Sequence, residues 1–186
     1  MKINEIFYSI QGEGYHTGQP AIFVRFSGCN LKCPFCDTDH NPGIKMSEDE
    51  IVEEVSKYPS HLVILTGGEP TLQITDSLIQ KLHHARKTVA IETNGTHEVP
   101  LSVDWVTCSP KYAPVVLKYC NELKVVYQGQ DMKQYEKIIA SHHYLQPCDV
   151  KDEEENRENT NAVIEFIKKN PEWRISLQTQ KILKVR

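Results

Sequence analysis

The stretch Ala21-Ile22-Phe23-Val24-Arg25-Phe26-Ser27-Gly28-Cys29-Asn30-Leu31-Lys32-Cys33-Pro34-Phe35-Cys36 is a short, β-rich run that feeds directly into a loop carrying three cysteines. Their C-x-x-x-C-x-x-C spacing can place three thiolates on three irons of a cubane iron–sulfur cluster, where a closed electron-transfer cluster takes four cysteines. The fourth iron would then be open to chelate another molecule, and an open metal position is a site for chemistry. A structural zinc site is the competing reading and would need a further ligand; His40, four residues beyond Cys36, could supply it. Unliganded thiols grouped by chance are the third.

Outward from this loop the chain alternates strand-like and helix-like segments. Ser47 to Tyr58 reads as an amphipathic helix with Ser47 as N-cap and Glu50 as its capping-box partner. A buried strand, Leu62 to Leu65, ends in Gly67-Gly68-Glu69-Pro70, and a second helix is expected over Thr75 to Arg86. Thr88 to Glu92 is strand-like and leads to the turn Thr93-Asn94-Gly95, with further strands expected at Val103 to Thr107 and Glu122 to Tyr127. Gln134 to Ala140 reads as helix and Tyr144 to Gln146 as a short strand. Lys151 to Glu158 mixes charges of both signs and reads as a loop and first helical turn before the apolar periodicity of Ala162 to Ile167. No linker or repeat divides the chain, so one domain, 1–186, is expected. Serial βα units imply a mostly parallel sheet, which collects ligands at the carboxyl ends of its strands. The cysteine loop, Gly-Gly-Glu-Pro, Thr-Asn-Gly, Ser109-Pro110-Lys111 and Gln146-Pro147 each follow an expected strand and would share one rim.

Composition narrows the class. With 39% hydrophobic and 25% charged residues in 186, the chain is an ordinary globular domain with enough sequence for a core. A formal charge of −4 provides no global basic field and argues against a nucleic-acid partner. No apolar run is long enough to span a bilayer and Met1 to Glu5 opens no secretory signal, so a reducing cytoplasm is expected. Cys108, Cys120 and Cys148 are scattered singly and read as semi-buried thiols. His83, His84 and His97 show no ligand pattern.

Gly67-Gly68-Glu69-Pro70 is by itself a turn that exploits glycine's freedom, or a place where backbone approaches a ligand. Beside the cysteine loop it carries a resemblance to radical S-adenosylmethionine enzymes, with Phe35 at the aromatic position near the adenine. Asn4-Glu5-Ile6-Phe7, Gln11-Gly12-Glu13-Gly14, Gly18 to Arg25 and Cys36-Asp37-Thr38 resemble the 7-carboxy-7-deazaguanine synthase family more closely. Ile91 to His97, Ser109-Pro110-Lys111, Leu145-Gln146-Pro147 and Arg174 to Leu183 extend the likeness over the whole chain.

That resemblance implies an incomplete parallel β/α barrel with its site at the carboxyl rim. It implies a [4Fe–4S] cluster on Cys29, Cys33 and Cys36, with S-adenosylmethionine near Phe35, Cys36, Asp37, Gly95, Ser109, Pro110 and Lys111, and Gln146, Pro147, Cys148 and Asp149 closing the far side. The Gly-Gly-Glu-Pro segment would help hold the methionine amino group. Ile10, Gln11, Gly12 and Thr93 would contact a pterin, Arg25 would face its carboxylate, Glu13 would support the pocket, and the terminal carboxylate of Arg186 would reach in. Thr38 would ligate a magnesium ion. The implied reaction turns 6-carboxy-5,6,7,8-tetrahydropterin into 7-carboxy-7-deazaguanine and ammonia. In it, reductive cleavage of the cofactor is followed by hydrogen abstraction from C6 and ring contraction. A homodimer and an electron donor such as a flavodoxin are implied as well.

The residue types suit these roles. Arg25 offers a planar fork matched to a carboxylate, although an arginine at a strand end is commonly just solvated. The Thr38 hydroxyl is a hard oxygen donor of the kind magnesium accepts, or a support for the Asp37-Thr38 turn. Two features depart from the family pattern. Gln180 stands where a histidine is usual, and an amide cannot titrate near neutrality; Arg186 is an unusual last residue. An activase of a glycyl-radical enzyme would share the cysteine spacing but not the Gln11 to Gly14 and Thr38 elements. An iron–sulfur carrier or zinc-stabilised module is the non-enzymatic alternative.

Overall fold

The computed structural model of the chain describes residues 1–186 apart from Asp37, His40 and Ala113. Nine strands form one sheet in the order β3-β1-β2-β4-β5-β6-β7-β8-β9. The strands are β1 (Lys2–Ile10), β2 (Pro20–Phe26), β3 (Ile44–Lys45), β4 (Leu62–Gly67), β5 (Thr88–Thr93), β6 (Trp105–Cys108), β7 (Tyr119–Tyr127), β8 (Ile139–Pro147) and β9 (Trp173–Ile175). From β2 through β9 every pairing is parallel, whereas β1 and β3 run antiparallel at one edge. The sheet ends at β3 and β9 without closing, which is the incomplete barrel that the sequence predicts.

Helices cover the outer face. Ile22, Val24, Val63, Leu65, Val89 and Ile91 of β2, β4 and β5 pack with Ile51 and Val55 of α1 (Glu48–Ser56) and Leu78, Ile79 and Leu82 of α2 (Asp76–His84). The α1 start has the predicted reciprocal cap: Glu50 N–H donates to Ser47 Oγ at 3.2 Å and Ser47 N–H to Glu50 Oε2 at 2.7 Å. Further along, Val163 of α3 (Glu153–Lys169) packs with Leu123, Val125, Leu145 and Trp173 of β7, β8 and β9. Because strand side chains alternate between faces, the intervening residues point into the concave interior. A band of them crosses the sheet in register: Glu5 opposite Arg25, Arg25 opposite Thr66, Glu92 opposite Thr107, Thr107 opposite Glu122 and Glu122 opposite His142.

The gap between β9 and β1 is crossed by the C-terminal segment, which includes α4 (Thr179–Leu183). Thr179 donates to the Gly12 carbonyl through its N–H (3.1 Å) and its hydroxyl (2.8 Å), Gly14 N–H donates to Ser176 Oγ (3.0 Å), and Ser9 Oγ donates to the Arg186 carbonyl (2.6 Å). No helix among the described residues is long and apolar enough to cross a membrane.

Two expectations are corrected. Gln134 to Ala140 is not a helix: a single 3₁₀ turn, Met132–Tyr135, precedes β8, which begins at Ile139. Buried Tyr135 and Ile138 anchor this short crossover against the β7–β8 core. The Tyr144 to Gln146 strand is nine residues long, because β8 pairs with β7 along almost its whole length. The charged stretch after Lys151 is largely helix, with Asp152 capping α3 and three glutamates in its first turn favoured by the helix dipole. Sequence reading names no element at β1, β3, β9 or α4, although the Ile-Phe-Tyr run of β1 is β-rich.

The loops after β2 and β4 are pressed together by backbone contacts. Gly68 N–H donates to the Phe26 carbonyl and Glu69 N–H to the Gly28 carbonyl, both at 2.9 Å. A Cβ on Gly68 would lie 1.8 Å from the Gly28 carbonyl oxygen. Gly68 is therefore required by its contact with the cysteine loop. Gly68→Ala must push the two loops apart and is expected to destabilise the apo chain by about 1–3 kcal/mol, as overpacking does. Chemical denaturation measures this; a change below about 0.5 kcal/mol, the size of an ordinary surface substitution, would show that the loops are not in contact.

Candidate active site

A cavity opens at the carboxyl rim of the parallel strands and is lined from every expected loop. Cys29, Cys33, Phe35, Cys36 and Thr38 come from the β2 loop, and Thr66, Gly67 and Gly68 from β4. Thr93 and Asn94 come from β5, Ser109 and Lys111 follow β6, and Gln146 to Asp149 close the wall after β8. The three cysteines are free thiols. Leu31 N–H donates to Cys29 Sγ at 3.4 Å, and Cys36 N–H to the Cys33 carbonyl at 3.1 Å, so the loop's own backbone presents the sulfurs. Burial raises the Cys29 thiol above its ordinary value. Among the described residues no three His, Cys, Asp or Glu side chains converge as a single metal ion demands. Each of the three thiols in the cavity could bind a separate iron of a polynuclear cluster; His40 lies outside the described residues, as does Asp37.

The neighbouring loops carry the rest of this end. Lys111 Nζ donates to Ser109 Oγ at 2.8 Å and lies 5.9 Å from the centre of the Phe35 ring. Burial lowers the Lys111 pKa. Glu69 is wholly buried, and its carboxylate accepts from Thr71 N–H (3.0 Å), the Thr93 hydroxyl (2.7 Å) and Asn94 N–H (2.8 Å). It joins the β4 loop to the end of β5 and leaves Thr66 and the two glycines at the cavity wall.

The opposite end is built on the inner face of the sheet. Lys124 of β7 is 6% exposed, and its ammonium donates to Glu13 Oε2 at 2.7 Å and to Glu92 Oε1 at 3.4 Å. Burial alone would lower the Lys124 pKa, but the carboxylates of Glu13, Glu92 and Glu122 outweigh it and raise the value. Burial would likewise raise Glu13; the charge of Lys124 and hydrogen bonds from Lys124, Gln178 and Gln180 bring it instead to about 2. The two glutamine Nε2 groups donate to Glu13 Oε1 at 3.0 and 2.9 Å. Glu92 also accepts from Gln11 Nε2 (3.0 Å) and the Thr66 hydroxyl (3.0 Å). Deeper in the barrel, burial raises the pKa of Glu122, whose Oε2 accepts from the Thr107 hydroxyl at 3.2 Å.

Some sequence-predicted residues lie off this lining. Gly95 is in a turn with φ +77°, facing Cys108 and Val115. Ile10, Gly12, Pro110 and Arg186 are also set back: Gly12 is covered by Gln180, and the Arg186 guanidinium pairs with Glu5 and lies 5.1 Å over the Phe7 ring. Gln11 is buried and reaches the cavity through Glu92. Arg25 sits behind the wall, its Nε donating to Glu5 at 2.8 Å and its NH1 to Thr38 Oγ1 at 3.5 Å. Thr66, Glu92, Lys124 and Gln178 are cavity residues that sequence reasoning missed. The available signal was parity: Glu92, Glu122 and Lys124 are charged positions in otherwise apolar strands, and such charges are found buried only when paired.

Comparison with known proteins agrees with this geometry. The Radical SAM superfamily model matches residues 23–121. A 7-carboxy-7-deazaguanine synthase of Bacteroides thetaiotaomicron is 56% identical over 186 residues, covering 100% of this chain and 98% of the relative. One from Burkholderia multivorans is 39% identical, covering 98% of each chain. The crystal structure of QueE from Escherichia coli superposes with a TM-score of 0.79 at 30% identity, covering 95% of this chain and 93% of that one. With similarity running the full length of both sequence and structure, the chain belongs to the 7-carboxy-7-deazaguanine synthase family of radical S-adenosylmethionine enzymes.

Proposed function

We propose that this chain converts 6-carboxy-5,6,7,8-tetrahydropterin to 7-carboxy-7-deazaguanine and ammonia, a step toward queuosine-type deazapurines. The observation that carries this reading is a single cavity with the three thiols at one end and the Glu13–Lys124–Glu92 cluster at the other. The first end fits a cluster with an open iron, and the second offers charged and amide groups to a polar heterocycle. The cluster and S-adenosylmethionine, when bound, supply the one-electron chemistry; the protein supplies orientation and exclusion of side reactions.

Cys29, Cys33 and Cys36 would hold the [4Fe–4S] cluster. Phe35, Ser109, Lys111 and Gln146 to Asp149 would surround S-adenosylmethionine, with the backbone at Gly67 and Gly68 close to its methionine end. Asp37, Gly95 and Pro110 remain in the cofactor set on resemblance alone. Gln11, Glu13 and Thr93 would meet the pterin, with Ile10 and Gly12 contributing main chain and Arg186 its carboxylate. Arg25 would pair with the substrate carboxylate, and Thr38, in the cavity lining, would ligate a magnesium ion that also binds substrate. Free cysteines suit a reducing cytoplasm, where an electron donor such as a flavodoxin would serve. Exposed apolar side chains at Ile182 and Leu183 support the reading of a homodimer.

The test is anaerobic reconstitution followed by incubation with reductant, S-adenosylmethionine, magnesium and the pterin, with mass spectrometry of the products. The deazapurine should form and be absent from Cys33→Ala. 5′-Deoxyadenosine without deazapurine would reject the substrate and keep the enzyme class. Arg25→Gln removes a charge-assisted hydrogen bond of about 1.5–3 kcal/mol, so KM for the pterin should rise roughly 10- to 150-fold. Affinity for S-adenosylmethionine should stay within about twofold; an unchanged KM would remove Arg25 from the substrate site.

A further inference from the structure

The Lys181 ammonium, partly exposed and outside the lining itself, bridges two residues that line the cavity. It donates to Asp149 Oδ2 and to Gln178 Oε1, each at 2.7 Å. Asp149 belongs to the loop after β8 that walls the cofactor end, and its other oxygen accepts from Lys151 N–H at 3.0 Å and Asn156 Nδ2 at 2.9 Å, which ties the loop to α3. Gln178 belongs to the C-terminal segment and passes the chain of hydrogen bonds on to Glu13, from there to Lys124 and to Glu92. Asp149, Gln178, Glu13 and Lys124 all line the cavity, from both of its ends. An uninterrupted polar path therefore joins α3 to the inner strands through one lysine.

We propose that Lys181 is a positioning residue whose bridge from Asp149 to Gln178 makes cofactor binding and pterin binding mutually dependent. The proposal rests on the reading that S-adenosylmethionine and the pterin occupy the two ends of this cavity. The reason is entropic and geometric. A ligand that orders the Asp149 loop fixes the ammonium, which in turn fixes Gln178 and the Glu13 carboxylate that the second ligand needs. The second ligand then meets a site whose ordering cost has already been met, which is positive cooperativity and must be reciprocal. A lysine suits the task because its compact ammonium can donate to a carboxylate and an amide oxygen together.

The experiment uses the full-length, cluster-reconstituted protein under anaerobic conditions. The dissociation constant of S-adenosylmethionine is measured by equilibrium titration with and without saturating pterin and magnesium. In the wild type the pterin should tighten the cofactor by about 5-fold or more, within the usual range of coupling between sites. Lys181→Met should bring that ratio to within about twofold of unity, and Lys181→Arg should keep most of it. A purely structural role would weaken both affinities and leave the ratio intact. If Lys181→Met fails to load the cluster, Asp149→Asn decides instead, because it removes the ion pair while keeping an acceptor for Lys151 N–H. A ratio of one in the wild type, or a ratio unchanged in these variants, overturns the proposal. Failure of the wild type to form deazapurine from the pterin would strike the function reading instead, so the two failures can be told apart.

Discussion

The buried ammonium of Lys124 is the constraint around which the rest of the site is arranged. An unpaired charge in a barrel interior would cost several kcal/mol, so the fold must deliver carboxylates to it. It does so from three directions: Glu92 from the neighbouring part of the sheet, Glu122 from the same strand, and Glu13 from the loop between β1 and β2. Glu13 is in turn held by Gln178 and Gln180 from the C-terminal segment. Satisfying one cation therefore positions the N-terminal loop and the last residues of the chain together, and these two pieces close the open side of the sheet. The stability of the fold and the shape of this end of the cavity are consequences of the same pairing.

A second constraint is the parallel register. With β2 and β4 to β9 all running in one direction, these strands end at the same rim, so the cysteine end of the cavity is assembled from consecutive loops. Backbone contact between Gly68 and Gly28 and the Glu69 carboxylate at Thr93 and Asn94 hold these loops to one another. Because β9 does not pair across to the β1 side, the sheet stays open there, and the C-terminal segment crosses the gap and brings Gln178 to the cavity wall.

The sequence made the cysteine end legible because its signals are local. Three closely spaced cysteines, a Gly-Gly turn and Ser109-Pro110-Lys111 each follow a recognisable strand, and the strands predict their convergence. The Glu13–Lys124 end is assembled from residues far apart in sequence, as between Glu13 and Lys124 or between Glu13 and Gln178, and periodicity within a segment carries no information on such pairs. Short elements escaped for a related reason. β9 has three residues and β3 two, too few for any period to show, and both exist through pairing with a longer neighbour. The region after Gln134 misled because its first residues do make a helical turn, after which strand pairing with β7 prevails. Gln180 was visible as a departure from the family; that its amide would be committed to Glu13 was not.

The most direct test of this account is the unfolding free energy of Lys124→Met, alone and combined with Glu13→Gln, measured by chemical denaturation of the apo chain. Removing one member of a buried ion cluster leaves the other charges unpaired, so Lys124→Met should lose about 3–5 kcal/mol. Neutralising Glu13 as well should restore part of that loss, because one of the stranded carboxylates is then gone. A Lys124→Met chain within about 0.5 kcal/mol of wild type, as for a surface change, would contradict the claim that this ammonium organises the site.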